Sequence, residues 1–412
     1  MSAPAPRHGS TLGRALIALG LAVHLLFLAS LSLGWLDDLA HDPRHVRQHG
    51  ADLFAVYSAG SNLRGGVSIY SPPEDPQIPY RYAFRYSPLA ALLIGMPLSL
   101  LRPLAAYALW VGFLEALLAW FVVALWRRGR GRRAVYPAIA LTLAFYPYYL
   151  ELYIGQYSWL QAVLFFATCI GLAQRKTLSA GLAFAASLAW KGNTLLLLPA
   201  LWRGRRTRLA LLCLAAVVLF CAPYFAMHPQ TLAEFGRNFA SDYPAGFTRG
   251  NLGMQRLADR ALDQFGTPVL DEQNHAQQEI GVGHYVSPEH RGRTLSALAA
   301  AVAALTLLIT LRSRPERIVE LCCLWMASYF LVYKHVWEHQ YVMLLPVLAL
   351  LALQRPSKLL WLSWIWLALP TPYALLEPAI VNQQPLELCY YAFKVLPAAL
   401  VWGLCAAWSL RR

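Results

Sequence analysis

Charge is scarce in this sequence. Asp, Glu, Lys and Arg make up 14% of its 412 residues, against about 25% in an ordinary soluble domain. Hydrophobic residues reach 58%, and the mean hydropathy is +0.43. Long apolar runs recur along the whole chain, which excludes a soluble protein, even one carrying a single anchor. Those runs lack two-residue alternation, which excludes an outer-membrane barrel. No two cysteines have CxxC spacing. The seven (Cys169, Cys213, Cys221, Cys322, Cys323, Cys389 and Cys405) sit in apolar segments. They read as small buried hydrophobes, not as a disulfide framework or a zinc knuckle. A Walker A sequence is missing, as is GxGxxG after a readable strand, so nucleotide-driven transport has no support. Acids are scarcer than bases, 21 against 35, giving a net charge of +14. The excess arginine lies in short clusters between apolar runs. That is the positive-inside pattern, not that of a nucleic-acid-binding surface.

What is present is an all-α, polytopic membrane chain forming one domain over 1–412. The first span is expected over Ala15 to Trp35, uncleaved, with its N-terminus in the cytoplasm, because the run is too long for a signal core. A polar stretch follows from Leu36 to Arg85. Further spans are expected near 104–126, 134–149, 157–174, 208–226, 294–312, 318–333, 338–354, 358–375 and 388–410. The arginine clusters at 127–133, 203–208, 312–317 and 411–412 should face the cytoplasm. This makes Ser87 to Leu101 a helix along the outer membrane surface, so that 36–103 is one outer loop with interfacial helices. It also makes 178–201 enter, break near Lys191-Gly192-Asn193, and return. The total is about twelve crossings, with a second large outer loop over 227–293 and no internal repeat. About 20 of the 35 basic residues then face the cytoplasm, while nearly all 21 acids and nine of eleven histidines lie on the outer side. Any chemistry belongs to the outer face.

Several residues there are candidates. Asp52 opens an amphipathic stretch after the first span; it is either an N-cap or a general base at the interface. Arg81 and Arg85 are interleaved with aromatics in Tyr80-Arg81-Tyr82-Ala83-Phe84-Arg85-Tyr86, which suits an interfacial anchor or a phosphate site. Glu151 and Gln156 flank Leu152-Tyr153-Ile154-Gly155, a polar pair that caps or solvates a helix end, with Gly155-Gln156 also suited to a tight, close-packed entry into the next span. Lys191 interrupts a long apolar run. An ammonium there either snorkels to the interface or serves a function. His335, Glu338 and His339 have the H-x-x-E-H order of inverted zinc proteases, and on one helix the histidines would share a face. A third ligand is missing from the motif, and neighbouring Lys334 disfavours a metal, so His339 reads better as a phosphate or acceptor contact, with plain interfacial histidines as the alternative. Asp242 sits in the outer loop in Asp242-Tyr243-Pro244, a turn-like segment, as does Gly250-Asn251-Leu252-Gly253.

The order of marks resembles glycosyltransferase family 87, the mannosyltransferase-like group of the glycosyltransferase-C class. The likeness covers about residues 15–354. It is carried by Asp52 with Val56-Tyr57, Leu63 to Tyr70, Tyr86-Ser87-Pro88, Gly155-Gln156, the Gly181 to Pro199 run, and His339-Gln340-Tyr341-Val342 before Leu344-Leu345-Pro346. The chain departs from the family where Lys191-Gly192 replaces a Lys-Pro-like pair, and over 227–293. The resemblance implies an inverting enzyme on the outer face, using a polyprenyl-phosphate sugar as donor and a glycolipid or glycan as acceptor. It implies Asp52 as general base and no cofactor or metal. Lys191, Arg85, Arg81 and His339 would then face the donor phosphate. Glu151, Gln156, Asp242, His335 and Glu338 would contact sugar or acceptor. A transporter or flippase for lipid-linked sugars is the alternative, because broken helices with an embedded charge suit transport. The short cytoplasmic loops favour the enzyme. The Arg-, Ala- and Leu-rich style points to a bacterial inner membrane.

Overall fold

Residues 9–36, 49–72, 78–80, 82–240, 250–265, 267–270, 282–382 and 384–411 are described by the structure, a computed structural model. The expected first span is helix α1 (Gly9–Leu33), 25 residues long. At 1.5 Å per residue it is long enough to cross a hydrocarbon core of about 30 Å. The first polar loop holds α2 (Ala51–Arg64) and α3 (Pro88–Leu98), the latter with a π turn at Ala91–Gly95. The stretch expected as a short helix along the outer surface is α3, docked on α2. The two backbones meet at a glycine pair, where a Cβ on Gly60 would stand 1.9 Å from the Gly95 carbonyl carbon.

Pro103 starts α4 (Pro103–Gly129), and Arg127 and Arg128 sit in its last turn, where cations favour the helix dipole. Then come α5 (Val135–Leu143), α6 (Tyr146–Ile154), α7 (Ser158–Ala173) and α8 (Thr177–Trp190). The break expected near Lys191 is present. Lys191 is extended, at φ −137° and ψ 132°, and a 3-10 turn over Gly192–Leu197 leads into α9 (Leu198–Arg203). The two ends of this excursion come back together, with Arg206 Nη1 donating to Thr177 Oγ1 at 3.5 Å. The chain continues through α10 (Thr207–Met227), α11 (Gln230–Ala240), α12 (Met254–Phe265) and a small hairpin of β1 (Thr267–Leu270) and β2 (Val282–Tyr285). It ends with α13 (Pro288–Arg312), α14 (Ile318–Val332), a 3-10 turn over Glu338–Leu344, α15 (Leu345–Gln354), α16 (Lys358–Ala368), α17 (Tyr373–Val381) and α18 (Glu387–Ser409).

Among the described residues, five helices (α1, α4, α10, α13 and α18) are long and apolar enough to cross a membrane. Helices α16 and α17, bent by 72°, add a sixth if they form one broken span. Twelve crossings were expected, and the other expected spans fall on helices of 9 to 16 residues such as α5, α7, α14 and α15. These are shorter than the roughly 17–25 residues that lipid asks of a straight span. Their surroundings explain the difference. Leu321 to Leu331 of α14 and Leu345 to Leu353 of α15 are buried throughout. A helix enclosed by protein need not match the lipid thickness, and its broken ends find protein partners. The long helices are less enclosed, with 11% to 44% of their apolar windows buried. Only 11% of the apolar window of α10 is buried, and Leu212, Leu219 and Phe220 stand exposed on it.

Polar ties fix the elements. His24 Nε2 lies 2.9 Å from Glu115 Oε2, and Tyr148 OH donates to Glu115 Oε1 at 2.9 Å, joining α1, α4 and α6. Arg260 on α12 pairs with Glu387 at 2.6 Å and Asp263 at 2.7 Å, while Arg291 reaches Asp259 at 2.9 Å. Burial is the largest influence and works against the Arg260 charge, but Glu387 and Asp263 together hold the guanidinium above its ordinary pKa. The expected turn at 250–253 is instead a bridge to the 334–337 segment. Leu252 N donates to Val336 O at 2.7 Å, and buried Asn251 pairs with Lys334 O at 2.8 Å. Five cysteines are buried as expected; Cys221 is half-buried and Cys389 is exposed.

Candidate active site

Two glycines build the start of the site. Helix α6 ends at Gly155, at φ +67°, a left-handed turn that closes the helix with N–H bonds to Glu151 O and Leu152 O. A Cβ there would lie 2.8 Å from Leu53 Cβ. Gly50, at φ +74°, precedes α2 and donates its N–H to Tyr153 O at 2.8 Å. The end of α6 is thereby tied to the start of α2, which puts Gln156 beside Asp52.

Gln156 is the hub. Its Nε2 donates to Asp52 Oδ2 at 2.8 Å, and its Oε1 accepts from Lys191 Nζ at 3.0 Å. Only one amide orientation satisfies both, because a carboxylate only accepts and an ammonium only donates. Tyr86 OH and Tyr157 N donate to the same Oε1 at 3.1 and 2.9 Å. The Lys191 ammonium also stands 5.5 Å from the Tyr86 ring centroid, in cation–π range. The Lys191 backbone is fixed by Gln161 Nε2 donating to its carbonyl at 3.2 Å. Ser87 Oγ donates to Ala189 O, which ties the start of α3 to the end of α8.

Asp52 is therefore not the helix cap. Gly50 holds that position, and Asp52 stands in the first turn of α2, half-buried. Glu151 is fully buried. Its Oε1 accepts from Trp159 N at 2.6 Å at the start of α7, while its Oε2 has no partner among the described residues. Glu151, Asp52 and Lys191 are within Coulombic reach of one another, and Lys191 acts on buried His339 as well. His339 Nε2 is buried without a partner among the described residues. Arg85 is half-buried beside Tyr86, and its charge reaches the Tyr333 hydroxyl, next to the 334–339 segment.

Asp52, Glu151, Gln156, Lys191 and His339 are thus gathered, with Arg85 at the edge. Glu338 is directed elsewhere: its Oε1 accepts from Lys394 Nζ at 3.1 Å and from Thr371 N at 3.0 Å. The H-x-x-E-H order does not form one helical face either. His335 lies in the non-helical segment before the 3-10 turn that begins at Glu338. Among the described residues, no three His, Cys, Asp or Glu side chains converge to hold a metal ion. Arg81 and Asp242 lie outside the described residues. Tyr86 and Gln161 are not among the site residues expected from the sequence. Tyr86 sat inside the aromatic-arginine run, and Gln161 is a lone polar residue in an apolar helix, which was its one signal.

The family model of glycosyltransferase family 87 matches residues 84–333, more than half of the chain. The chain is a member of glycosyltransferase family 87. It is accordingly a membrane glycosyltransferase that takes a sugar donor and an acceptor. The match to family 87 includes Arg85, Tyr86, Glu151, Gln156 and Lys191; Asp52 and His339 fall outside it. No curated protein matches the chain.

Proposed function

We propose that this family 87 member transfers a hexose from a polyprenyl-phosphate sugar to an acceptor hydroxyl on the outer face of a bacterial inner membrane, with inversion. Mannose is the favoured sugar, from the likeness to the mannosyltransferase-like group. The observation that carries the reading is the Gln156 bridge, which holds a carboxylate and an ammonium apart by one amide. A carboxylate paired directly with a lysine would be a poor base. Held through Gln156, Asp52 takes the proton of the acceptor hydroxyl while that oxygen attacks the anomeric carbon. The bond from that carbon to the phosphate oxygen breaks, and polyprenyl phosphate leaves with the electron pair. Lys191, with Arg85, Arg81 and His339, stabilises the charge developing on the phosphate. The exposed apolar faces of the long helices give the prenyl chain a lipid path to the site.

The donor class is tested with washed membranes containing the overexpressed protein, supplied separately with radiolabelled polyprenyl-phosphate mannose and with a radiolabelled nucleotide sugar. The reading requires label in a new product from the lipid donor, even when synthesis of lipid-linked sugars is blocked. Transfer from the nucleotide sugar under that block would overturn it.

A further inference from the structure

At the far end of α7 and α8 lies a cavity of about 700 Å³. The 16 residues of α7 separate it from the Gln156 bridge, which is about 24 Å of helix. Five arginines from three stretches of chain line it: Arg128, Arg132, Arg175, Arg205 and Arg206. The positive-inside rule accounts for arginine on this face. It does not account for the backbone that two of them adopt.

Arg175 and Arg205 have φ of +58° and +57°, the only non-glycine residues in the left-handed region among those described. Each closes a helix by the same motif. After α7, Arg175 N donates to Leu172 O and Lys176 N to Gly171 O; after α9, Arg205 N donates to Trp202 O and Arg206 N to Leu201 O. Glycine is the favoured residue at this position because it carries no Cβ penalty. The caps use backbone N–H groups alone, so the arginine side chains are not needed to satisfy the helix ends. The Arg175 and Arg205 guanidinium groups have no hydrogen bond or ion pair among the described residues, and both side chains are exposed. Of the two acids lining the cavity, Glu320 is already paired with Arg317 at 2.9 Å. Glu316 alone faces five positive charges. The remaining wall is partly apolar, with Leu172, Leu353 and Trp408.

We infer that this cavity binds the phosphate headgroup of an anionic lipid from the leaflet opposite the Asp52 site. Guanidinium forks match phosphate oxygens in pairs, and basic pockets between membrane helices suit such headgroups. A volume of about 700 Å³ exceeds the need of one phosphate, and suits a two-phosphate headgroup with the first carbons of its chains. The inference is independent of which sugar or donor the enzyme uses.

The test is the melting midpoint of the purified full chain in neutral detergent, with added cardiolipin, phosphatidylcholine or inorganic pyrophosphate. Wild type should gain at least about 3 °C from cardiolipin over phosphatidylcholine. The double variant Arg175→Gly, Arg205→Gly should keep or raise its lipid-free midpoint, since glycine relieves the backbone, and should lose that gain. The variant Arg130→Gly, Arg133→Gly removes the same charge outside the cavity and should retain it. An equal gain by pyrophosphate, lost in the first variant, would support the anion site but assign it to a soluble ligand. No gain in wild type, or the same loss in both variants, would overturn the inference.

Discussion

Gln156 does two tasks that no other side chain in the site can take over together. Its amide presents a donor to Asp52 and an acceptor to Lys191 in a fixed direction. Replacing it with Leu, which has similar bulk and no polar atoms, leaves both charged groups short of a partner. Each such hydrogen bond to a charged group contributes about 1.5–3 kcal/mol. Gln156→Leu is expected to lower the rate of sugar transfer by at least about 100-fold while the protein still inserts and purifies as wild type. Lys191 gives a sharper test of role. Lys191→Met keeps the length and loses the charge, so the maximal rate should fall by about 100-fold or more. Lys191→Arg should recover part of it, measured as kcat and donor KM in detergent-solubilised enzyme. Full activity of Lys191→Met would remove the phosphate role. These residues were legible in the sequence because each breaks a local rule: a lysine inside an apolar run, a Gly-Gln pair before a span, a lone acid after one. Their connection was not legible. It depends on Gly50 and Gly155 bringing the ends of two helices together from about 100 residues apart, as the Gln156–Asp52 bond does at a separation of 104.

At the scale of elements, glycine contacts and buried pairs position the site. Gly155→Ala places a Cβ in a left-handed turn against Leu53. The backbone alone should cost about 1–2 kcal/mol, and the Gln156 bridge should be displaced. A lowered melting midpoint together with lost transfer is the expected result. Wild-type values for both would show that the turn does not set the bridge. The Glu338–Lys394 pair ties α18 to the turn that carries His339, and Lys394 also donates to Leu367 O and Leu369 O at the bend after α16. Removing one partner leaves a buried charge without its opposite charge, at about 3–5 kcal/mol. Lys394→Met should therefore destabilise the protein more than Lys394→Met combined with Glu338→Gln, by urea or thermal unfolding in detergent. From the sequence, Glu338 looked like part of a histidine motif. Its actual partner lies 56 positions later in a different helix, and no local pattern announces that. The short inner helices read as full spans in the sequence for a related reason. Apolar run length measures hydrophobic surroundings, and protein provides those as well as lipid does.

Over the whole molecule, the two ends of the helical bundle differ in kind. One gathers carboxylates, amides and a single lysine at broken helix ends; the other gathers arginines around a cavity. The charge asymmetry of the sequence already carried this division, because basic clusters recur between alternate apolar runs. Helix count did not follow from it, since broken and re-entrant pieces leave the same charge pattern as full crossings. Cys389 offers a natural reporter of orientation. It is the one exposed cysteine among the seven, two residues from Glu387, which pairs with Arg260 of the long polar segment expected on the outer side. A membrane-impermeant maleimide should label wild type in intact spheroplasts and leave Cys389→Ser unlabelled. Labelling only after permeabilisation would invert the assigned faces. The central claim, that Asp52 is the base for sugar transfer, has a more direct test. Initial rates of label transfer from radiolabelled polyprenyl-phosphate mannose are compared for wild type and Asp52→Asn at equal expression. Loss of at least about 100-fold in rate, with donor KM within about threefold, is the predicted result. Equal rates for the two proteins would contradict it.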